Sequence, residues 1–238
     1  MGLSHSPRIV TDGLVLCLDA ANRRSYPRTG TVWTDLKSGS GATLVNSPQF
    51  YDTNGGYLSF DGTNEQCNVS TTTPSVLQGD PSFTVVGWFK RNGTISARST
   101  WGFGGDSGGE GFTSWNYNQA NNISIDLWGA ATYTSGQTYS LTEFKHCAWC
   151  YTGGGFSTSS VTIYVNAIPY TGSDLSILRG GSSTYTPNIN NNGIVLGKSS
   201  IDESQWGRPD IANFNIYSRV LSAEEIRQNY LATKGRYA

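Results

Sequence analysis

Cys147 and Cys150 stand in CxxC spacing within "FKHCAWCY", which raises metal binding or thiol exchange as chemistry for this chain. The surrounding residues read as a strand, and residues three apart on a strand point to opposite faces, so the two thiolates cannot close on one ion. No second CxxC and no His pair completes a zinc site. Small buried thiols in a β core are the expectation for these two and for Cys17 and Cys67. His146 shares a strand face with Phe144 and Ala148 and has no Ser or Asp partner at a suggestive spacing. A packed, hydrogen-bonded imidazole is expected there, not a catalytic base. The Gly-rich "GFGGDSGGEG" lacks the Lys and following helix of a phosphate cradle and reads as a hairpin loop. What remains is aromatic. Trp101, Trp115, Tyr117, Trp128 and Trp206 could offer flat platforms to a saccharide, with Asp106 and Asn116 as polar partners. Packing in a core or interface is the competing role for each ring.

Composition narrows the field further. Lys plus Arg total 16 against 17 Asp plus Glu, a net charge of −1 with no basic cluster, which argues against nucleic acid as a partner. No basic amphipathic helix and no run of about 18 apolar residues appears, so no membrane span is expected. The first twenty residues lack the basic start and continuous apolar core of a secretion signal.

The elements that must position the candidate residues are short strands. "LVLCLDA", "YLSFDG", "VTIYV", "GIVLGK" and "DIANFNIYSR" alternate or run apolar between turn signals, about a dozen strands in all. "SFTVVGWFKR" at 82–91 is apolar on both sides and belongs near the middle of a sheet. Asn166-Ala167 marks a tight turn. One helix start is well signalled: Ser222 and Glu225 form a capping box, with Leu221 and Ile226 at the staple positions. About ten helical residues are expected, too few to be stable undocked. The expected organisation is an arm over 1–12, one domain over 13–232 and a tail over 233–238.

These segments, in this order, resemble the laminin-G-like domains of the concanavalin A-like lectin/glucanase superfamily. "DIANFNIYSRVLSAEEIRQNY" is similar to the closing strand and helix of such domains. "GLVLCLDAAN", "YLSFDGTNEQCNV", "FTVVGWFK" and "FKHCAWCYTGGG…VTIYVNAIPY" are similar to earlier segments. Phe144, Ala167 and Glu65 depart from the residues usual at those places. The resemblance implies an all-β, antiparallel jelly-roll β-sandwich with one short C-terminal α-helix.

The resemblance also carries functional expectations. Glucanases of the superfamily use two glutamates in an E-x-D-x-x-E arrangement, placing two carboxyl groups for hydrolysis. The glutamates here, at 65, 110, 143, 203, 224 and 225, make no such pattern, so no catalysis is expected. Some members hold calcium at a sheet edge. Asp35, Asp61 and Asp210 occupy recurrent positions and are the candidate Ca2+ ligands, with turn capping as their alternative role. The short arm and the closing "QNYLATKGRY" are similar to virion proteins of tailed bacteriophages. That implies a decoration protein of a capsid or tail, present in many copies, contacting other virion proteins and assembled in the host cytoplasm. Contact with host-surface glycans is the alternative.

Overall fold

The computed structural model describes residues 7–93, 99–115, 122–181, 184–200 and 206–237, the side chain of residue 115 excepted. Among them, the strands in chain order are β1 (Leu14–Asp19), β2 (Val32–Thr34), β3 (Gly41–Val45), β4 (Gln49–Tyr51), β5 (Tyr57–Ser59) and β6 (Gln66–Ser70). Next come β7 (Phe83–Arg91), β8 (Ser99–Gly104), β9 (Gly111–Trp115), β10 (Asn122–Leu127), β11 (Ala131–Thr138) and β12 (Lys145–Tyr151). The series ends with β13 (Val161–Val165), β14 (Ile168–Thr171), β15 (Ser176–Arg179), β16 (Ile194–Leu196) and β17 (Pro209–Tyr217), followed by α1 (Ala223–Tyr237).

They form two antiparallel sheets. One runs β14-β13-β12-β7-β17-β5-β4, with β1 also paired to β17; the other runs β15-β11-β10-β9-β8-β16-β6-β3-β2. The interleaved strand order is the jelly-roll sandwich expected from the sequence. Period-two alternation builds the core between the sheets. On β7, Phe83, Val85 and Phe89 enter it, while Val86 and Trp88 point the other way, so the strand is covered on both faces. Phe83 meets Phe103 and Phe112 of the facing sheet edge-on, at centroid distances of 5.1 and 4.9 Å. Gly87 is required in the middle of this strand, because a Cβ there would lie 2.3 Å from the Asn213 carbonyl.

The outer face of the eight-stranded sheet is closed by α1. The capping box is present: Glu225 N–H donates to Ser222 Oγ at 3.3 Å and Ser222 N–H donates to Glu225 Oε2 at 2.9 Å. Leu221 and Ile226 are buried together against Val86, Ala148 and Cys150. The helix is longer than expected and absorbs the supposed tail. Trp88 Nε1 donates to Thr233 Oγ1 at 2.7 Å, and buried Tyr237 donates to Asp19 Oδ1 at 2.9 Å. These two anchors hold the last turn, beyond the ten or so residues expected, to the sheet.

The arm is also docked, as far as it is described. Val10 is buried in the cluster beneath α1. Its carbonyl accepts from Tyr217 Oη at 2.9 Å. The expected arm is thus pinned to the domain at Val10, while Pro7, Arg8, Thr11 and Asp12 stay exposed.

Candidate saccharide-contact face

The outer face of the nine-stranded sheet is polar, and its composition follows from register. One cross-strand row reads Arg179, Thr132, Asp126, Thr113, Gly102, Val195, Asn68 and Thr43 on β15, β11, β10, β9, β8, β16, β6 and β3. The neighbouring row, Leu127, Phe112, Phe103 and Ile194, faces the core. Asp126 and Asn68 stand four strand spacings apart, about 19 Å.

At the Asp126 end, the carboxylate is fully buried. Oδ1 accepts from Arg179 Nη2 at 2.9 Å and from the Thr132 hydroxyl. Burial outweighs both partners and raises its pKa. Two residues on, and so on the same face, half-buried Trp128 carries the Arg179 guanidinium 5.7 Å from its ring centroid. Trp128 Nε1 donates to the Asp106 carbonyl at 3.0 Å. Trp128 and Asp106 are neighbours on adjoining loops, but the bond between them uses the Asp106 backbone carbonyl and not its carboxylate.

At the Asn68 end lies a groove of about 310 Å3. Its floor is Val195; one wall is Gln66, Asn68 and Ser70 of β6, and the other is Lys198 and Ser200. The second wall exists because the chain after β16 folds back across the sheet. Lys198 bridges to Trp206 and places its Nζ 5.0 Å from that ring. Ser200 comes so close to β8 that a Cβ on Gly102 would lie 2.8 Å from its backbone nitrogen. Gln66 Nε2 donates to Asn68 Oδ1 at 2.6 Å, fixing the orientation of both amides. Amides, hydroxyls and one ammonium around an apolar floor can read the hydroxyls of a neutral or weakly acidic polyol.

Other candidates fall elsewhere. Trp101 is fully buried and packs between Phe103 and Trp149 at 6.1 and 5.3 Å, so it serves the core and offers no platform. Asn116 and Tyr117 lie outside the described residues, as does the side chain of Trp115. The three aspartates do not converge. Asp35 caps the β2–β3 turn, accepting from the amides of Cys17, Lys37 and Ser38 at 2.8, 2.9 and 3.0 Å. Asp61 caps its own turn through Thr63 N–H at 2.8 Å, and Asp210 is paired with Lys90 at 3.1 Å. Among the described residues no three His, Cys, Asp or Glu side chains gather to hold a metal, so these aspartates do not fit a shared calcium ion.

The glutamates are dispersed too: Glu65 accepts from Asp61 N–H, Glu110 from Asn190, and Glu224 and Glu225 cap the helix. Glu203 lies outside the described residues. His146 is buried against Trp88 and Tyr230, and burial lowers its pKa to about 3, too low for a general base at neutral pH. Cys147 faces the inter-sheet core and Cys150 the helix side, as strand geometry requires. The groove escaped sequence reading because its walls come from β6 and from the chain after β16. Only the β6–β16 pairing brings them together.

Comparison with known proteins places this architecture. No curated protein matches the chain. In structure it is similar to a Trypanosoma rangeli sialidase in complex with sialic acid, at 20% identity and TM-score 0.62, covering 97% of this chain and 36% of that one. The chain thus spans about a third of the sialidase's length. It is also similar to domain 4 of AbnA, a GH43 extracellular arabinanase from Geobacillus stearothermophilus, solved in complex with arabinotriose. There the identity is 13%, the TM-score 0.61, and the match covers 91% of this chain and 98% of that domain. The binding domain of Paraclostridial Mosquitocidal Protein 1 matches at 13% identity and TM-score 0.61, over 92% of this chain and 52% of that one. These likenesses are of fold. The sequence profile described as Concanavalin A-like lectin/glucanases superfamily matches residues 61–227, more than two thirds of the chain, and the chain belongs to that superfamily.

Proposed function

We propose that the protein is a non-catalytic saccharide-binding module whose ligand lies in the groove between β6 and the Lys198–Ser200 return. The observation that carries this reading is the groove itself: oriented amides of Gln66 and Asn68, the Lys198 side chain in the opposite wall and an apolar Val195 floor in about 310 Å3. That volume suits one small ring with its substituents. Trp128 and Asp106, on the same face, would extend contact to a longer chain. The similarity over nearly the whole of an arabinanase domain solved with arabinotriose supports the ligand class. The dispersed glutamates support binding without hydrolysis.

Isothermal titration with arabinotriose and a panel of neutral oligosaccharides tests the proposal. Binding is expected for at least one sugar, with affinity falling about tenfold or more in Asn68→Ala and Lys198→Ala, since each removes a polar contact worth about 1.4 kcal/mol or more. A panel with no binder, or a binder indifferent to both substitutions, overturns it. Incorporation into a phage particle, implied by sequence resemblance, draws no support from the fold. The docking of Val10 also argues against residues 7–12 as a free anchor.

A further inference from the structure

On the opposite side of the sandwich a second pocket, about 350 Å3, opens at the seam between α1 and the eight-stranded sheet. Three aromatic rings line it: Phe144 ahead of β12, and Tyr230 and Tyr237 of α1. The two tyrosines are seven residues apart, two helical turns, and therefore share a face. Their rings are set by buried Trp88. It stacks on Tyr230 at 5.6 Å with a 20° interplanar angle and lies 5.6 Å from Tyr237. Phe144 closes the wall at 6.3 Å from Tyr237. An aromatic lining this constrained is pre-organised and costs little to order on binding.

The rim is polar and carries unused capacity. Asn166 Oδ1 is occupied by the His146 amide at 3.0 Å, which turns that side chain to a fixed orientation with its NH2 group as donor. Glu143 is exposed, and its carboxylate makes no hydrogen bond or ion pair among the described residues. Asn54 completes the rim on the facing loop. Each ring also carries a cation, Lys90 on Phe144, Lys234 on Tyr230 and Arg236 on Tyr237, at 5.2, 5.3 and 5.3 Å from the centroids. The ring surface left open, with an amide donor and a carboxylate acceptor above, matches a pyranose or furanose, C–H groups to the rings and hydroxyls to the rim.

We infer that this seam is a second saccharide site, independent of the groove, so that one molecule engages two glycan segments from its two faces. The inference takes its ligand class from the reading of the groove but rests on different residues. Two sites on opposite faces cannot be filled by one short oligosaccharide, so each binds its own segment, and a polymer gains avidity from both.

The experiment is backbone-amide NMR of the intact chain titrated with arabinotriose and with methyl glycosides of glucose, galactose and mannose. Glu143→Ala serves as the seam variant, because that side chain touches nothing needed for folding. Asn68→Ala serves as the groove variant. Shifts around Phe144, Asn166 and Tyr230 that persist in Asn68→Ala and weaken about tenfold in Glu143→Ala uphold the seam site. Shifts confined to the groove overturn it and leave the groove reading standing. Shifts at the seam alone uphold it and overturn the groove. Absence of shifts at either place overturns both.

Discussion

Asn229 Oδ1 accepts the amide hydrogen of Val10 at 2.8 Å, joining α1 to a segment 219 positions earlier in sequence. Tyr217 completes the junction, donating to the Val10 carbonyl and accepting from Asn229 Nδ2 at 3.2 Å. The start of the described chain is thereby held under its closing helix.

Deleting residues 1–12 therefore costs stability. It exposes the apolar surface that Val10 covers, worth about 1.5 kcal/mol, and leaves the Asn229 acceptor without its partner, worth about 1–3 kcal/mol. A domain of this size should melt about 5–15 °C lower. A thermal melt that does not move would show the docking to be energetically idle.

Tyr237→Ala tests the corrected end of the helix. The ring is buried beside Trp88 and Phe144, and its hydroxyl is bonded to Asp19. Loss of such a side chain costs about 3–5 kcal/mol. The urea midpoint should fall with no change in slope; a midpoint within error of the parent would return residues 233–238 to the status of a tail.

His146 gives the stability a pH dependence. Burial holds its pKa at about 3, against an ordinary value of 6.5, so between those limits the unfolded chain binds the proton and the folded chain does not. Stability is complete above pH 6.5 and falls as pH drops through the window, by up to about 1.4 kcal/mol per pH unit. The groups packed on the imidazole are the rings of Trp88 and Tyr230. Urea melts at pH 7, 5.5 and 4.5 should show this slope in the parent and a flatter one in His146→Phe. Parallel slopes would remove His146 as the cause.

Gly102→Ala separates the groove from the fold. The added methyl would approach the Ser200 nitrogen to 2.8 Å and push back the wall that carries Lys198. Saccharide affinity in the groove should fall about tenfold or more while the near-ultraviolet spectrum of the aromatic core stays as in the parent. Unchanged affinity would place the ligand elsewhere.

Arg179→Ala leaves the fully buried Asp126 carboxylate without its cation, a loss of about 3–5 kcal/mol. Adding Asp126→Asn should restore most of it, because a neutral amide there no longer needs a counter-charge. Equal destabilisation of the single and double variants in denaturant melts would count against the pair.

Much of the fold was legible because local pattern and tertiary outcome agree. The two-sided apolar strand at 82–91 is β7, in the interior of its sheet, and the CxxC pair splits between faces as period two demands. Asn166 and Ala167 both take positive φ, 52° and 66°, so the turn forms even with Ala where Gly is usual. The capping box fixed the helix start, but its end was misread. The last turn is held by the distant partners of Thr233 and Tyr237, which no local pattern announces. The candidate site was harder to see. Trp101 and Trp128 look alike as residue types, yet Trp101 points into the core from β8 while Trp128 sits in the turn after β10, half-buried at the surface. The groove depends on β16 lying between β6 and β8, a non-sequential order that no window of sequence encodes.

All four cysteines are buried and unpaired, and burial pushes every one of the thiols up, Cys17 and Cys150 to about 12. The thiolate, the species that attacks disulfides and meets oxidants, is therefore suppressed at each. The fold needs no oxidising surroundings to form a cross-link and offers oxidants little to react with. The fold is held together without a cross-link between its cysteines, so reduction leaves its covalent framework unchanged.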